Sequence, residues 1–319
     1  PAGRETAVEL IGTCDVVLEN FRPGLMTDLG LDYETLAAKH PRLIYVSHKG
    51  FLPGPYEKRL ALDEVVQMMG GLSYMTGPVG RPLRAGTSVN DIMGGMFGAI
   101  GVLAALRQRE RTGEGCEVQA ALFENNIFLV AQHMMQFAVT GQPAAPMPSR
   151  ISAWAIYDVF TVKDGEQIFL AVVSDKQWAI FCEAFGLKQL ADDARLATNN
   201  DRVRARGWLL PLLREALAAY GADELAAVFD ANGLPFAPIA KPHELLEDPH
   251  LNQSGGLVPV RLNNGRMSKV PLLPLTLDGA RPPLRMQPPA VGEHTDALLR
   301  EAGYGEEEIA ALRRANAIG

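Results

Sequence analysis

The chain is short of cysteine, of long apolar runs and of basic patches, and each shortage removes a class of function. Only Cys14, Cys116 and Cys182 occur in 319 residues, far apart and in no CxxC arrangement. Neither a disulfide framework nor a zinc site is expected, and a reducing, cytoplasmic setting fits. His133, His243, His250 and His294 fall into no metal-ligand spacing and read as structural hydrogen-bonders, so no metal is expected. The one apolar stretch that resembles a membrane span, Ile92 to Leu106, is rich in glycine and shorter than the roughly 20 residues a bilayer needs. It reads as a buried helix, and no membrane partner is expected. Lys plus Arg number 30 against 37 Asp plus Glu, a net charge of -7, with no basic run interleaved with aromatics; nucleic acid is not an expected partner. There is no P-loop, no GxGxxG, no HExxH and no GxSxG.

What is present is the composition of a globular protein, 47% hydrophobic and 21% charged, of a length for two domains or one with a large insertion. The first part alternates strand and helix: a strand at 15–19, a turn at Arg22-Pro23-Gly24, helices to Lys39, and a strand at 43–47. A helix at 62–70, the apolar helix after Asn90, a strand at 117–122 and a helix at 123–139 follow. That order predicts an α/β fold with an open, parallel, Rossmann-like sheet. The Pro-rich stretch from Gly141 to Pro148 reads as a connection, after which two alternating strands around Asp164-Gly165 predict a hairpin that opens a smaller α+β domain. Helices are expected at 176–185, 208–219, 222–231 and 306–316. The expected domains are 1–140, a large-domain part with a linker helix; 141–250, the small domain; and 251–319, a segment returning to the large domain.

Asp91 carries the most information. It opens an apolar helix, and with Gly94, Gly98, Gly101 and Ala105 it follows the i, i+3, i+4 rhythm of one helix face. Glycine in a helix interior costs up to about 1 kcal/mol against alanine, so a glycine face implies that something comes very close. Two readings stand for the carboxylate: an ordinary cap on the helix N-terminus, supplied by Asn90 or Asp91, or a nucleophile at the mouth of a groove.

Several separated stretches together resemble the family III CoA-transferases (the CaiB/BaiF group), which include formyl-CoA transferase, the carnitine CoA-transferase and the α-methylacyl-CoA racemases. They are Asp15-Val-Val-Leu-Glu-Asn-Phe-Arg-Pro-Gly24, His40 to Ser47, Asn90-Asp91 with its glycine-rich helix through Gly115, Tyr157-Asp-Val-Phe160, Gly233 to Pro238, Asp248-Pro-His250 and Gly292 to Asp296. The resemblance implies that Asp91 is a covalent nucleophile toward an acyl-CoA thioester, with a carboxylic acid as the second substrate and coenzyme A as substrate in place of any resident cofactor. It implies that Asn20, Phe21 and Arg22, in the turn after the first strand, contact CoA, and that Leu60, Ala61, Leu62 and Asp63 line its channel. The local alternatives are a plain βα turn around Pro23-Gly24 and helix capping by Asp63. It also implies an interlocked homodimer. Lys49, after the second strand, is a further candidate for a phosphate, or a solvated surface lysine.

The chain also departs from the family. It starts at Pro1 without the first βα units of its relatives, so the CoA contacts those units carry are expected outside this sequence. Asp28 stands where transferase relatives often have an arginine for CoA, and Pro143 to Ser152 replace the glycine run that formyl-CoA transferases use as a lid. The His-Asp acid/base pair of racemases aligns with Leu62-Asp63, and leucine cannot move a proton. The expected activity is therefore CoA transfer between an acyl-CoA and an organic acid through an aspartyl intermediate. The alternatives are a racemase-like enzyme and a non-catalytic CoA-binding protein in which Asp91 is only a cap. Trp154 and Tyr157, at the start of the second domain, face the partner's active site in relatives or simply pack on a strand.

Overall fold

The computed structural model describes residues 2–150 and 152–318, and Pro1, Ile151 and Gly319 lie outside them. The chain divides into two compact units, Pro1–Arg150 with Ala290–Gly319, and Ile151–Pro289.

The first unit opens with α1 (Ala2–Gly12), β1 (Val16–Glu19), α2 (Leu25–Leu29), α3 (Tyr33–Ala37) and β2 (Ile44–Lys49). It continues with α4 (Asp63–Met69), α5 (Leu72–Thr76), α6 (Val89–Thr112), β3 (Glu117–Ala121) and α7 (Leu122–Thr140). The three strands form a parallel sheet in the order β1-β2-β3, with Val16 opposite Ile44 and Tyr45 opposite Glu117. A parallel sheet is covered on both faces, which is why its central strand reads as a continuous apolar run. Alternation along β2 sends Ile44 and Val46 into a cluster with Ala105 of α6, while Leu43 and Tyr45 join Leu36 of α3 in another.

Helix α6 corrects two expectations. It extends past the apolar run at both ends to 24 residues, long and apolar enough by length and composition to cross a membrane. It is also not buried all round. Asn90, Gly94, Gly98 and Ala105 form the buried stripe, whereas Ile92, Met96, Ile100 and Leu103 are more than half exposed. The glycines answer to the sheet: a Cβ on Gly98 would stand 2.5 Å from Cε1 of His48 on β2, and one on Gly101 would collide with Val118 of β3. The helix ends where Gly113, at φ 81°, takes the left-handed cap conformation.

The second unit contains β4 (Ile156–Thr161), β5 (Gln167–Val172), α8 (Asp175–Ala184), α9 (Lys188–Ala191), α10 (Asn199–Leu217), α11 (Ala222–Ala231) and β6 (Phe236–Pro238). Then come α12 (Pro249–Gln253) and a hairpin of β7 (Leu257–Arg261) and β8 (Met267–Pro271). The expected hairpin turns at Gly165, φ 79°, and β6 joins it in an antiparallel sheet of order β4-β5-β6. Helix α10 begins earlier than the expected 208, at a capping box in which Thr198 and Asp201 satisfy one another's backbone N–H groups. Gly207 and Pro211 inside the helix mask that start in the sequence.

The return to the first unit begins at Ala290, not at 251. The physical reason is Lys269 of β8, whose Nζ donates to the Leu246 carbonyl at 3.0 Å and to Asn252 Oδ1 at 2.8 Å and so holds the second hairpin on the unit that precedes it. Past Ala290, α13 (Thr295–Glu301) and α14 (Glu306–Arg314) return to α1, where the Tyr304 hydroxyl donates to Glu9.

Candidate active site

Because the strands of the first unit are parallel, their carboxyl ends emerge along one edge of the sheet, the place where open α/β sheets bind ligands. A cavity of about 780 Å³ lies there. Asn20, Phe21 and Arg22 reach it from the end of β1, His48 and Lys49 from the end of β2, and Leu122 from the end of β3. Arg59, Leu60, Ala61, Leu62 and Asp63 form another wall, and Asp91, Gly94 and Gly95 of α6 a third. Every site residue expected from the sequence is thus brought to one cavity.

Two buried carboxylates build its frame. Glu19, at the end of β1, accepts the Phe21 N–H at 2.8 Å on one oxygen and the Ser47 hydroxyl on the other, which pins the Asn20–Arg22 turn to the neighbouring strand. Asp63, the first residue of α4, accepts the Asn90 N–H at 2.8 Å on Oδ1; on Oδ2 it accepts Gln67 Nε2 at 2.5 Å and Arg84 Nη2 at 3.5 Å. Asp63 therefore caps α6 from another helix. The local reading of Asp63 as a cap is right about the chemistry and wrong about the helix.

That cap frees Asp91. Ser88, the N-cap residue of α6, makes no side-chain cap bond. Among the described residues no donor reaches the Asp91 carboxylate, so it is a cap in neither sense. Burial raises its pKa above the ordinary aspartate value, the charge of Asp63 raises it further, and Arg84 opposes both. The position in the first turn of a 24-residue helix favours the charged form.

The glycine pattern is resolved differently from the expected one. A Cβ on Gly95 would meet no protein atom within 4 Å, so Gly95 opens into the cavity beside Asp91. Gly98, expected on the Asp91 face, is instead occupied by the His48 ring.

The model of CoA-transferase family III matches residues 1–295. The chain belongs to CoA-transferase family III. It is 32% identical over 305 residues, 94% of this chain and 76% of the relative, to a succinate–glutarate CoA-transferase of Agrobacterium fabrum. With an acetyl-CoA:oxalate CoA-transferase of Acetobacter aceti it shares 34% over 264 residues, 80% of this chain and 68% of that one. The crystal structure of a CaiB/BaiF family protein from Brucella suis superposes with a TM-score of 0.85 at 33% identity, covering 94% of this chain and 79% of that one. The α/β fold with its parallel sheet is that of these family III neighbours.

Within this family III fold, two polar side chains of the cavity, His48 and Arg59, are not among the site residues expected from the sequence. His48 carried a usable signal: alternation from Ile44 and Val46 places it on the α6 face of β2, provided the strand is carried on to Lys49. Arg59, stacked on the Tyr56 ring at 5.1 Å, lies in a loop with no periodic signal. Asp28 stands 4.0 Å from Arg22 across an exposed ion pair. Trp154 and Tyr157 pack on each other at 5.0 Å, and Tyr157 meets Phe169 of β5 edge-on at 4.8 Å, as strand-face packing requires.

Proposed function

We propose that this family III enzyme moves coenzyme A from an acyl-CoA thioester to the carboxylate of an organic acid, with Asp91 as the covalent nucleophile. The observation that carries the reading is an unbonded carboxylate, Asp91, in the cavity where the Asn20–Arg22 turn and the Leu60–Asp63 segment meet.

The chemistry needs no base. The Asp91 carboxylate attacks the thioester carbonyl and the C–S bond breaks, giving a mixed anhydride and CoA thiolate. The thiolate attacks the Asp91 carbonyl of the anhydride, releasing the first acid and leaving an aspartyl thioester. The acceptor carboxylate then attacks that carbonyl, forming a second anhydride and expelling thiolate once more. Attack of the thiolate on the acceptor's carbonyl yields the new acyl-CoA and restores the Asp91 carboxylate. Each step exchanges one anion for another, so no proton is gained or lost. A racemase needs a base on each face of the α-carbon, and Leu62 denies it one.

Phe21, Leu60 and Leu62 expose apolar side chains at the cavity and suit a pantetheine arm, while Arg22, Lys49 and Arg59 supply positive charge for phosphates. The acid is proposed to be a short dicarboxylate. The relatives whose names carry succinate, glutarate and oxalate support that class. The partner is proposed to be a second copy of the chain, covering the exposed Met96, Ile100 and Leu103 of α6 and Phe128, Met135 and Val139 of α7. Light scattering that gives a dimer mass supports it; a monomer across the micromolar range ends it.

The covalent step is tested by incubation with succinyl-CoA and trapping with hydroxylamine or borohydride, followed by mass mapping of the tryptic peptide 85–107. The label is expected on Asp91. A preparation that transfers CoA yet never yields a labelled peptide would remove Asp91 from the covalent role.

A further inference from the structure

The imidazole of His48 is placed with unusual care for a residue that hydrogen-bonds to nothing. It is half-buried, it lines the cavity, and among the described residues neither ring nitrogen has a hydrogen-bond partner. Its ring fills the notch left by Gly98 of α6, with Cε1 2.5 Å and Nε2 2.9 Å from a Cβ built there, and its Nδ1 borders Gly94, 3.8 Å from a Cβ built on it, beside Asn125 Nδ2 at 3.6 Å and Leu122 Cδ2 at 3.7 Å. An alanine at 98 would displace the ring, so Gly98, at a cost in helical stability, makes room for this one side chain.

The notch lies on the helix that carries Asp91. Gly94 is one turn along from Asp91, and a turn rises about 5 Å. That length matches the separation of the two carboxyl carbons of a short dicarboxylic acid. Gly95, one residue on, puts no side chain of its own into the cavity.

We infer that His48 is a specificity residue: its N–H donates to the far carboxylate of a short dicarboxylic acid whose near carboxyl is joined to Asp91. This rests on the transferase reading above and adds to it the group that reads the acid.

The arginine and lysine side chains of the cavity are placed for different work. Arg22 is exposed and faces Asp28. Arg59 is exposed and stacked on Tyr56. Lys49, one residue beyond His48, is turned to the opposite face of the strand by its alternation. His48, unlike them, rests on the Asp91 helix.

The test compares acceptor acids in pairs of matched chain length, glutarate with pentanoate and succinate with butyrate, using kcat/KM for wild type, His48→Leu, His48→Gln and Gly98→Ala. The wild type is expected to prefer the dicarboxylate. In His48→Leu the ratio of dicarboxylate to monocarboxylate should fall by about ten-fold or more, since one charge-assisted hydrogen bond is lost. His48→Gln, which keeps an N–H donor, should recover part of that ratio. Gly98→Ala, which leaves His48 in the chain but takes its place in the notch, should lower the ratio as His48→Leu does. Because the readout is a ratio within one preparation, a partly unfolded variant lowers both terms alike and does not imitate the effect. A ratio unchanged in His48→Leu, whether both rates fall together or neither does, overturns the inference while leaving Asp91 and CoA transfer intact. A wild type that transfers CoA to no acid sinks the transferase reading and, with it, this role of His48.

Discussion

In the second unit Phe160, Phe181, Leu213 and Phe229 belong to one continuous buried cluster, whereas the first unit has only small clusters on the two faces of its sheet. The buried polar side chains are distributed the other way. Among the described residues all of them except Ser152 and Arg202 lie in the first unit, and Glu19, Ser47, Asp63, Gln67 and Asn90 among them surround or brace the cavity. Some are unsatisfied: among the described residues neither the Oδ1 nor the Nδ2 of Asn90 and of Asn126 has a partner. Arg202 illustrates the contrast: nearly fully buried, it donates to the Leu196 carbonyl at 2.8 Å and to Asp175 at 2.5 Å, and it lies over the Trp178 ring. The second unit is organised for packing. The first gives up packing for polar groups held in place, as functional sites generally do.

The largest effect that sharpens this contrast is expected at Asp91. Asp91→Asn should lower kcat by about a thousand-fold or more while CoA affinity stays within a few-fold, since a nucleophile acts in the transition state. Its stability should move the other way. The folded-state pKa of Asp91 is raised, so the ionised carboxylate costs stability near neutral pH. Asp91→Asn should therefore melt no lower than wild type at neutral pH, and any advantage should shrink as the pH falls through the raised pKa and the wild-type carboxyl takes up its proton. A clear drop in melting temperature would mean that Asp91 is structural.

Phe229→Ala should do the opposite, removing about 3–5 kcal/mol of stability through the cavity left in a continuous core. Transfer per folded molecule should be unchanged, as judged by denaturant melts beside active-site titration. Next, Gly98→Ala should cost about 1–3 kcal/mol, because the new Cβ overlaps His48. Gly95→Ala meets open space and should gain up to about 1 kcal/mol of helix stability while raising KM for acyl-CoA. Equal behaviour of the two variants would dissolve the distinction between the packing glycine and the cavity glycine.

The smallest effect is one of pH. The nucleophile must be ionised, so activity is lost on the acid side as the pH falls through the Asp91 pKa. Asp63 raises that pKa by its charge. Asp63→Asn, which keeps an oxygen for the Asn90 N–H, should move the acid limb of kcat/KM to lower pH. A limb that does not move would show that burial alone sets the Asp91 pKa.

Much of this was legible in the residues. Alternating strands and helices, the Asp164-Gly165 hairpin and the βα turn at Asn20–Arg22 are written locally, in periodicity and turn chemistry. The start of α10 was legible too, in Thr198 and Asp201, but Gly207 and Pro211 outweighed that signal. The hairpin of β7 and β8 has a local signal as well, the Asn264-Gly265 pair at its turn. The glycine face of α6 pointed to a close approach and did not tell which neighbour made it.

By itself the amino-acid sequence determined the α/β class, the ordered motifs of family III and the candidacy of Asp91, because each depends on residues near one another in the chain. Tertiary structure alone decided that Asp63 caps α6, and so leaves Asp91 unbonded, across a separation of 27 residues. It also decided that Gly98 houses His48 and that Gly95 faces the cavity. A helix offers a glycine on every side that lacks a side chain, and only the packing of the sheet against it settles which of those sides is filled by protein and which is left for substrate.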